Sequence, residues 1–229
     1  MNIADKLQTI AENEQKVYDA GKKAEYDKFW DIVLRGNISK YHFAGKAWTS
    51  TTFNPPSGEY YVENAQGLFC ECAITDLAEI FEKNEFSLDF SNCSIFGTCF
   101  YFCRSLTHLP VLDLRKIEEA TNMFAYSSKL HTIDGLIFSE DGLKGGTNQM
   151  FYNCTALENI TISGKIKANI SFSSCTKLTH ASLMSIINAL FDLTSDGTAT
   201  KTLTLGTANQ QKLTEEEQAI AIQKGWTIA

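Results

Sequence analysis

The sequence predicts an α/β fold: a short right-handed solenoid with a helical N-terminal segment and a strand–helix cap at its C-terminal end. Three observations lead there. The first is a degenerate repeat in which a Phe is followed three residues later by Cys or Ser, then by two further apolar positions. Its copies are Phe100-Cys103-Leu106-Leu109, Phe124-Ser127-Leu130-Ile133, Phe151-Cys154-Leu157-Ile160 and Phe172-Cys175-Leu178-Ala181, with a shortened one at Phe69-Cys72-Ile74-Leu77. The second is register: 24 residues separate Phe100 from Phe124, and Leu88-Asp89-Phe90 falls above Leu112-Asp113-Leu114. The third is a set of alternating runs, Ser87-Leu88-Asp89-Phe90, Val111-Leu112-Asp113-Leu114, Asn159-Ile160-Thr161-Ile162 and Thr202-Leu203-Thr204-Leu205. Period-two alternation puts the aliphatics inside and Asp or Thr outside, so each run reads as one strand per repeat. A fixed period of this size marks stacked units, none of which can bury its apolar face alone. A β-sandwich is the competing reading, but its evenly spaced strands would carry no shared side-chain signature.

Residues 1–36 contain no proline and read as a helical segment, with Ile3, Leu7, Ile10, Val17 and Ala24, then Phe29, Trp30, Val33 and Leu34, along an apolar stripe. Gly21, followed by Lys22 and Lys23, suits the end of a first helix, and Gly36 the end of a second. Ile3, Ile10, Val17 and Ala24 also fall on a seven-residue repeat, interrupted by Glu14 and Gly21. Two readings follow: a helix pair packed on the chain's own body, or a homo-oligomer formed through residues 1–35.

Residues 37–67 gather Tyr41, Phe43, Trp48, Phe53, Tyr60 and Tyr61 around a Pro55-Pro56 loop, and are expected to cap the first turn of the array. An aromatic platform for carbohydrate is the sharper alternative. Residues 68–205 form the repeat array. Helical insertions are expected over residues 76–83 and 182–193, the latter with Ser182 as N-cap, and an exposed insertion over residues 139–146. Residues 206–229 read as the closing cap. There Thr214 to Glu217 fits a capping box, and Gly225 ends the helix before Trp226.

Composition narrows the function. The chain has 229 residues, 44% apolar and 21% charged, with a net charge of −7. It shows no basic stripe, which disfavours nucleic acid, and no apolar run long enough to insert in a membrane. The start, Met1-Asn2-Ile3-Ala4-Asp5-Lys6, lacks the basic and apolar regions of a signal peptide. A cytoplasmic product is therefore expected, with a virion as the alternative destination. The seven cysteines are odd in number, and Cys72, Cys103, Cys154 and Cys175 share a slot with Ser127. That interchange signals small, buried, reduced side chains rather than disulfide partners. Cys70-x-Cys72 and Cys99-x-x-x-Cys103 do not match zinc-site spacing, so neither metal nor cofactor is expected.

Chemistry-bearing motifs are missing from the sequence. His108, His131 and His180 each lie seven or eight residues after a repeat Phe, which makes them recurrent edge positions, and His42 stands apart from that pattern. No phosphate-binding glycine loop, His-Glu-x-x-His or nucleophile context accompanies them. Asp89 and Asp113 read as a solvated ladder rather than a catalytic pair. The expected function is thus a non-catalytic binding module for a protein or glycan. Its outward strand residues Asp89, Asp113, Arg115, Thr161 and Thr204 form one candidate surface, favouring neutral or basic partners. Trp48, Tyr60 and Tyr61 form a second.

Three segments carry a family resemblance: Met123-Phe124 with Leu130, Met150-Phe151-Tyr152-Asn153-Cys154-Thr155-Ala156-Leu157, and Phe172-Ser173-Ser174-Cys175-Thr176-Lys177-Leu178. They resemble BspA-type leucine-rich repeats over about residues 68–205. Ile3-Ala4-Asp5-Lys6-Leu7, Glu14-Gln15-Lys16-Val17-Tyr18, Lys23-Ala24-Glu25-Tyr26-Asp27 and Lys224-Gly225-Trp226-Thr227 are similar to the ends of repeat proteins from gut anaerobes and their phages. The resemblance implies a curved, leucine-rich-repeat-like solenoid used for binding, in some relatives for adhesion at a cell surface or on a virion, with no catalytic residues. The alternative it leaves is a phage or prophage tail subunit that assembles through its N-terminal helices.

Overall fold

A computed structural model describes Phe53, Pro55 and residues 57–229. The N-terminal helical segment, the oligomerisation seam of residues 1–35 and Trp48 lie outside the described residues. The rest is a mixed α/β structure of short parallel sheets and few helices. Strand β1 (Gly58–Tyr61) pairs with β2 (Phe86–Asp89). Strands β3 (His108–Asp113), β4 (Thr132–Ile137) and β5 (Asn159–Ser163) form a second sheet, and β6 (Ile170–Ser171), β7 (Lys201–Thr204) and β8 (Trp226–Ile228) a third. Every pairing is parallel and joins strands consecutive in the chain, so each connection crosses over to restart in the same direction. Among the described residues no sheet closes into a barrel. The helices are α1 (Leu77–Asn84), α2 (His180–Ala189), α3 (Thr207–Gln210) and α4 (Glu215–Gln223).

The repeat Phe residues make the core. Phe69, Phe100, Phe124, Phe151 and Phe172 are all buried. Their rings stack in sequence with centroids 5.3, 5.7, 5.2 and 4.5 Å apart. The Cys/Ser slot has a physical explanation in the backbone beside them. From Cys103 onward each slot side chain reaches back to the Phe carbonyl of the preceding unit: Cys103 Sγ to Phe69 O at 3.0 Å, Ser127 Oγ to Phe100 O at 2.6 Å, Cys154 Sγ to Phe124 O at 3.1 Å. Cys175 Sγ makes the same approach to Phe151 O at 3.8 Å. These carbonyls are buried in the stack, and a small donor there occupies a lone pair that water cannot reach. At the last ring no further repeat follows. Asn209 takes over, donating from Nδ2 to Phe172 O (3.4 Å), Cys175 O (3.1 Å) and Leu205 O (3.1 Å).

The turns carrying these rings pair with each other along the stack. Phe69, Phe100 and Phe124 donate their N–H to Cys99, Met123 and Met150 of the following unit. The residues two positions before and two after each ring do likewise, as with Thr98 to Thr121 (2.9 Å) and Phe102 to Ala125 (2.9 Å). The N–H groups between them close local turns, as with Tyr101 to Thr98 (3.1 Å). Directing alternate N–H groups outward along the stack requires left-handed backbone, found at Thr98 (φ 55°), Phe102 (56°), Asn122 (56°), Tyr126 (63°), Gln149 (53°) and Asn153 (58°). Non-glycine residues there cost about 1–3 kcal/mol each, which the repeated inter-unit bonds offset.

The C-terminal cap follows the expected capping box, with Thr214 and Glu217 exchanging hydrogen bonds at the start of α4. It closes the array through backbone carbonyls. Lys212 Nζ donates to Thr176 O and Leu178 O, Lys224 Nζ to Ile187 O and Asn188 O at the end of α2, and Trp226 Nε1 to Phe191 O at 2.9 Å.

Four expectations are corrected. Helix α2 starts at His180, capped by Thr179, and Ser182 inside its first turn is buried, bonding Glu158 O and Ile160 N. Residues 190–193 are not helical, because Leu190 bridges to Ile166 instead. The insertion over residues 139–146 is not simply exposed. Leu143 is buried and bridges to Ile166, and Gly146 (φ +65°) lies so close to Glu118–Ala120 that a Cβ would fall 2.5 Å from Glu118 O. Tyr60 and Tyr61, expected in an irregular cap, lie on β1 in register with Leu88 and Asp89.

Phe124→Ala should cost about 3–5 kcal/mol in urea denaturation, the usual penalty for emptying a buried aromatic site. Ser127→Cys should be nearly neutral, whereas Ser127→Ala, which strips Phe100 O of its donor, should cost about 1–3 kcal/mol. Equal stability of the Ala and Cys variants would show that the slot is selected for size alone.

Candidate functional site

The repeat generates a surface as well as a core. Three positions before Phe124, Phe151 and Phe172 stand Thr121, Asn148 and Asn169, each an uncharged polar residue carried by the same turn of a successive unit. They line a cleft of about 700 Å³ together with Gly146, Thr147, Gln149, Ile170, Ser171 and, from β7, Thr202 and Thr204. None of its ten lining residues is charged. Two internal bonds hold the walls: Thr147 Oγ1 donates to Asn169 O, and Asn169 Oδ1 accepts from Thr202 N at 2.8 Å. The side chains of Asn148, Gln149 and Thr204 have no hydrogen-bond partner among the described residues. The cleft therefore presents unpaired amide and hydroxyl groups that donate and accept, with no formal charge to select an ion.

A second feature borders the same turns. The residues just after three of the ladder rings, Phe100, Phe124 and Phe151, form an aromatic stripe. Tyr126 lies 5.7 Å from Tyr101, 4.6 Å from Phe102 and 5.2 Å from Tyr152, and the Arg104 guanidinium sits 4.5 Å over the Phe102 ring. Tyr152 is 45% exposed. The left-handed backbone at Phe102 and Tyr126 sets these large side chains on the outside of the stack. Sequence reasoning missed both features. Their signal was present as Thr121/Asn148/Asn169 before, and Tyr101/Tyr152 and Phe102/Tyr126 after, the aligned Phe residues.

Of the described residues expected to bind, only Thr204 joins the cleft. Asp89 and Asp113 do not form a ladder, because β2 and β3 belong to different sheets. Each carboxylate instead shapes the turn after its own strand: Asp89 accepts from Ser91 N at 2.8 Å, and Asp113 from Arg115 N at 3.1 Å. Arg115 is held by Asp113, Nε to Oδ1 at 2.9 Å, and that hydrogen bond lowers the pKa of the Asp113 carboxyl. Arg115 lines a smaller cleft of about 480 Å³ with charges of both signs, among them Lys116, Glu118, Asp141 and Lys144. Thr161 is exposed on β5, apart from either cleft. The Tyr60 hydroxyl donates to Ser57 O at 3.0 Å and its ring packs on Phe86, while Tyr61 is 40% exposed.

The repeated histidines are edge residues joined to acids of other units. His131 Nε2 meets Glu158 at 3.0 Å and His180 Nε2 meets Glu217 at 2.8 Å. His108 is held from both sides, Nδ1 to Asp76 at 3.2 Å and Nε2 to Asp134 at 2.9 Å, so neither ring nitrogen is free to act as a base. Among the described residues no group of three or more His, Cys, Asp or Glu is placed to hold a metal ion, and no helix is long and apolar enough to cross a membrane. No family model matches the chain, and no curated protein or solved structure is significantly similar to it.

Burial opposes the charged form of His108, but its hydrogen bonds to Asp134 and Asp76 and their charges outweigh that and raise its pKa. A raised folded pKa gives stability that is complete below the unfolded value, about 6.5, and is lost as pH climbs through the raised one. The stability lost in Asp134→Asn should therefore shrink as pH rises above about 6.5. Urea midpoints on either side of that pH measure it, and a loss constant with pH would show that the contact is not ionic.

Proposed function

We propose that the chain is a non-catalytic binding module, a short right-handed leucine-rich-repeat-like solenoid of BspA type whose ligand is a neutral glycan. The solenoid reading is supported by consecutive parallel strands and by five stacked Phe rings that each recur once per unit. The single observation that carries the ligand class is the uncharged cleft, with Asn148, Gln149 and Thr204 unpaired at its surface. Sugar hydroxyls donate and accept in the same way as these groups, and a cleft without charge neither attracts nor rejects an ion. The aromatic stripe on the same turns adds apolar ring faces beside the polar walls. On this reading binding falls at the repeat turns and the adjoining residues of β6 and β7, rather than on β2, β3 or β5.

A panel of neutral and acidic oligosaccharides, followed by calorimetry on those retained, tests the proposal. Binding to at least one neutral sugar is expected, with a free energy of about −4 to −8 kcal/mol, corresponding to millimolar to micromolar affinity. Affinity should change little with salt, because the ligand carries no charge to be screened. Gln149→Ala and Asn148→Ala should each weaken binding by roughly tenfold, about 1.4 kcal/mol, without altering stability. Retention of acidic sugars alone, or full affinity in both variants, would remove the cleft from the binding site.

A further inference from the structure

All seven cysteines are free, and six of them are buried. Only Cys72 and Cys103 bring their sulfurs within hydrogen-bonding distance of each other, at 3.6 Å. They fill the same slot of two successive units whose rings, Phe69 and Phe100, lie parallel at 5.3 Å. Reaching a bond of about 2.05 Å requires each sulfur to move less than about 1 Å. The other slots lack this arrangement. Ser127 interrupts the cysteine series, and Cys154 and Cys175 contact the carbonyls of Phe124 and Phe151 but not each other's sulfur.

The two thiols are also unequal. Cys72 keeps a 5% exposed edge, whereas Cys103 is fully enclosed. The hydrogen bond between the two thiols lowers the pKa of Cys72, while burial pushes Cys103 well up. Cys72 is thus the thiol that gives up its proton more readily, and Cys103 the one that holds it.

We propose that Cys72 and Cys103 form an oxidisable thiol pair, a modification site at which a hydroperoxide closes a disulfide between two neighbouring units. The Cys72 thiolate attacks one peroxide oxygen, the O–O bond breaks, and the other oxygen leaves as water after taking a proton. Cys103 then attacks the sulfur of the resulting sulfenic acid. The S–S bond forms, the S–O bond breaks, and the second oxygen leaves as water with the Cys103 proton. Two thiols lose two electrons, and hydrogen peroxide is reduced to two waters. The closed form gives up the Cys103 bond to Phe69 O and gains a covalent link between residues 31 apart.

The test uses the full chain treated with hydrogen peroxide, alkylated with iodoacetamide in denaturant, digested and mapped by tandem mass spectrometry. A link lighter by two hydrogens joining Cys72 to Cys103 is expected, reversible by dithiothreitol, with the other five cysteines alkylated. Cys154→Ser and Cys70→Ser should leave the link unchanged. Cys103→Ser should abolish it and leave Cys72 as a sulfenic acid that dimedone traps, a readout that requires only that the variant fold. The oxidised wild type should also unfold at a higher urea concentration than the reduced form. A link through Cys70, Cys93 or Cys99, or alkylation of all seven cysteines at a peroxide dose that oxidises free dithiothreitol, would overturn the proposal.

Discussion

The structure depends on one backbone constraint: a turn buried in a stack can satisfy its polar groups only through its neighbours. The ladder Phe brings its carbonyl into an interior that water does not enter, and an unpaired carbonyl there costs a substantial part of a domain's margin of stability. Every slot side chain from Cys103 to Cys175 answers that need, and Asn209 answers it where the array stops. The stacked rings supply the burial, and the slot bonds fix the register at which they stack. A size-matched aliphatic in the slot would keep the first contribution and lose the second.

The same constraint shapes the outer surface. Pointing alternate N–H groups along the stack places residues such as Thr98, Phe102 and Tyr126 in left-handed backbone that such side chains rarely adopt. Once adopted in one unit, the conformation recurs in the next, because each unit must match the donors of its neighbour. Side chains at equivalent positions then line up at intervals of about 5 Å, near the spacing of neighbouring strands. The polar row of Thr121, Asn148 and Asn169 and the aromatic stripe through Tyr126 are both products of that repetition. The candidate cleft combines stacked turns whose uncharged residues coincide with the end of the 139–146 insertion and residues of β6 and β7.

The caps reveal how the array is kept from continuing. Lys212 and Lys224 each place an ammonium group on backbone carbonyls, and burial lowers the pKa of Lys224. A cation at the end of α2 also meets the negative end of the helix dipole. Charge that would be costly in the middle of the stack is thus used at its edge, on carbonyls at the end of a helix and of the last turns.

Much of this was legible in the sequence. The Phe spacing identified five ladder rings, alternation located β2, β3, β5 and β7 to within a few residues, and the Cys/Ser interchange pointed to a small buried position. These are local or periodic signals, set by the chemistry of side chains and their spacing. Strand β4 was legible only through its place in the repeat, and β8 was hidden in a short segment after Gly225 with little alternation to read. The ladder expected of Asp89 and Asp113 does not form because equal positions in a repeat do not imply neighbouring positions in one sheet. Their carboxylates find the nearest backbone N–H two residues on, a choice made by turn geometry. Which acids meet His108, which turns converge on the cleft, and which two thiols come within 3.6 Å were decided by tertiary structure alone. Each depends on how units of unequal length stack in space, and no local pattern records that distance.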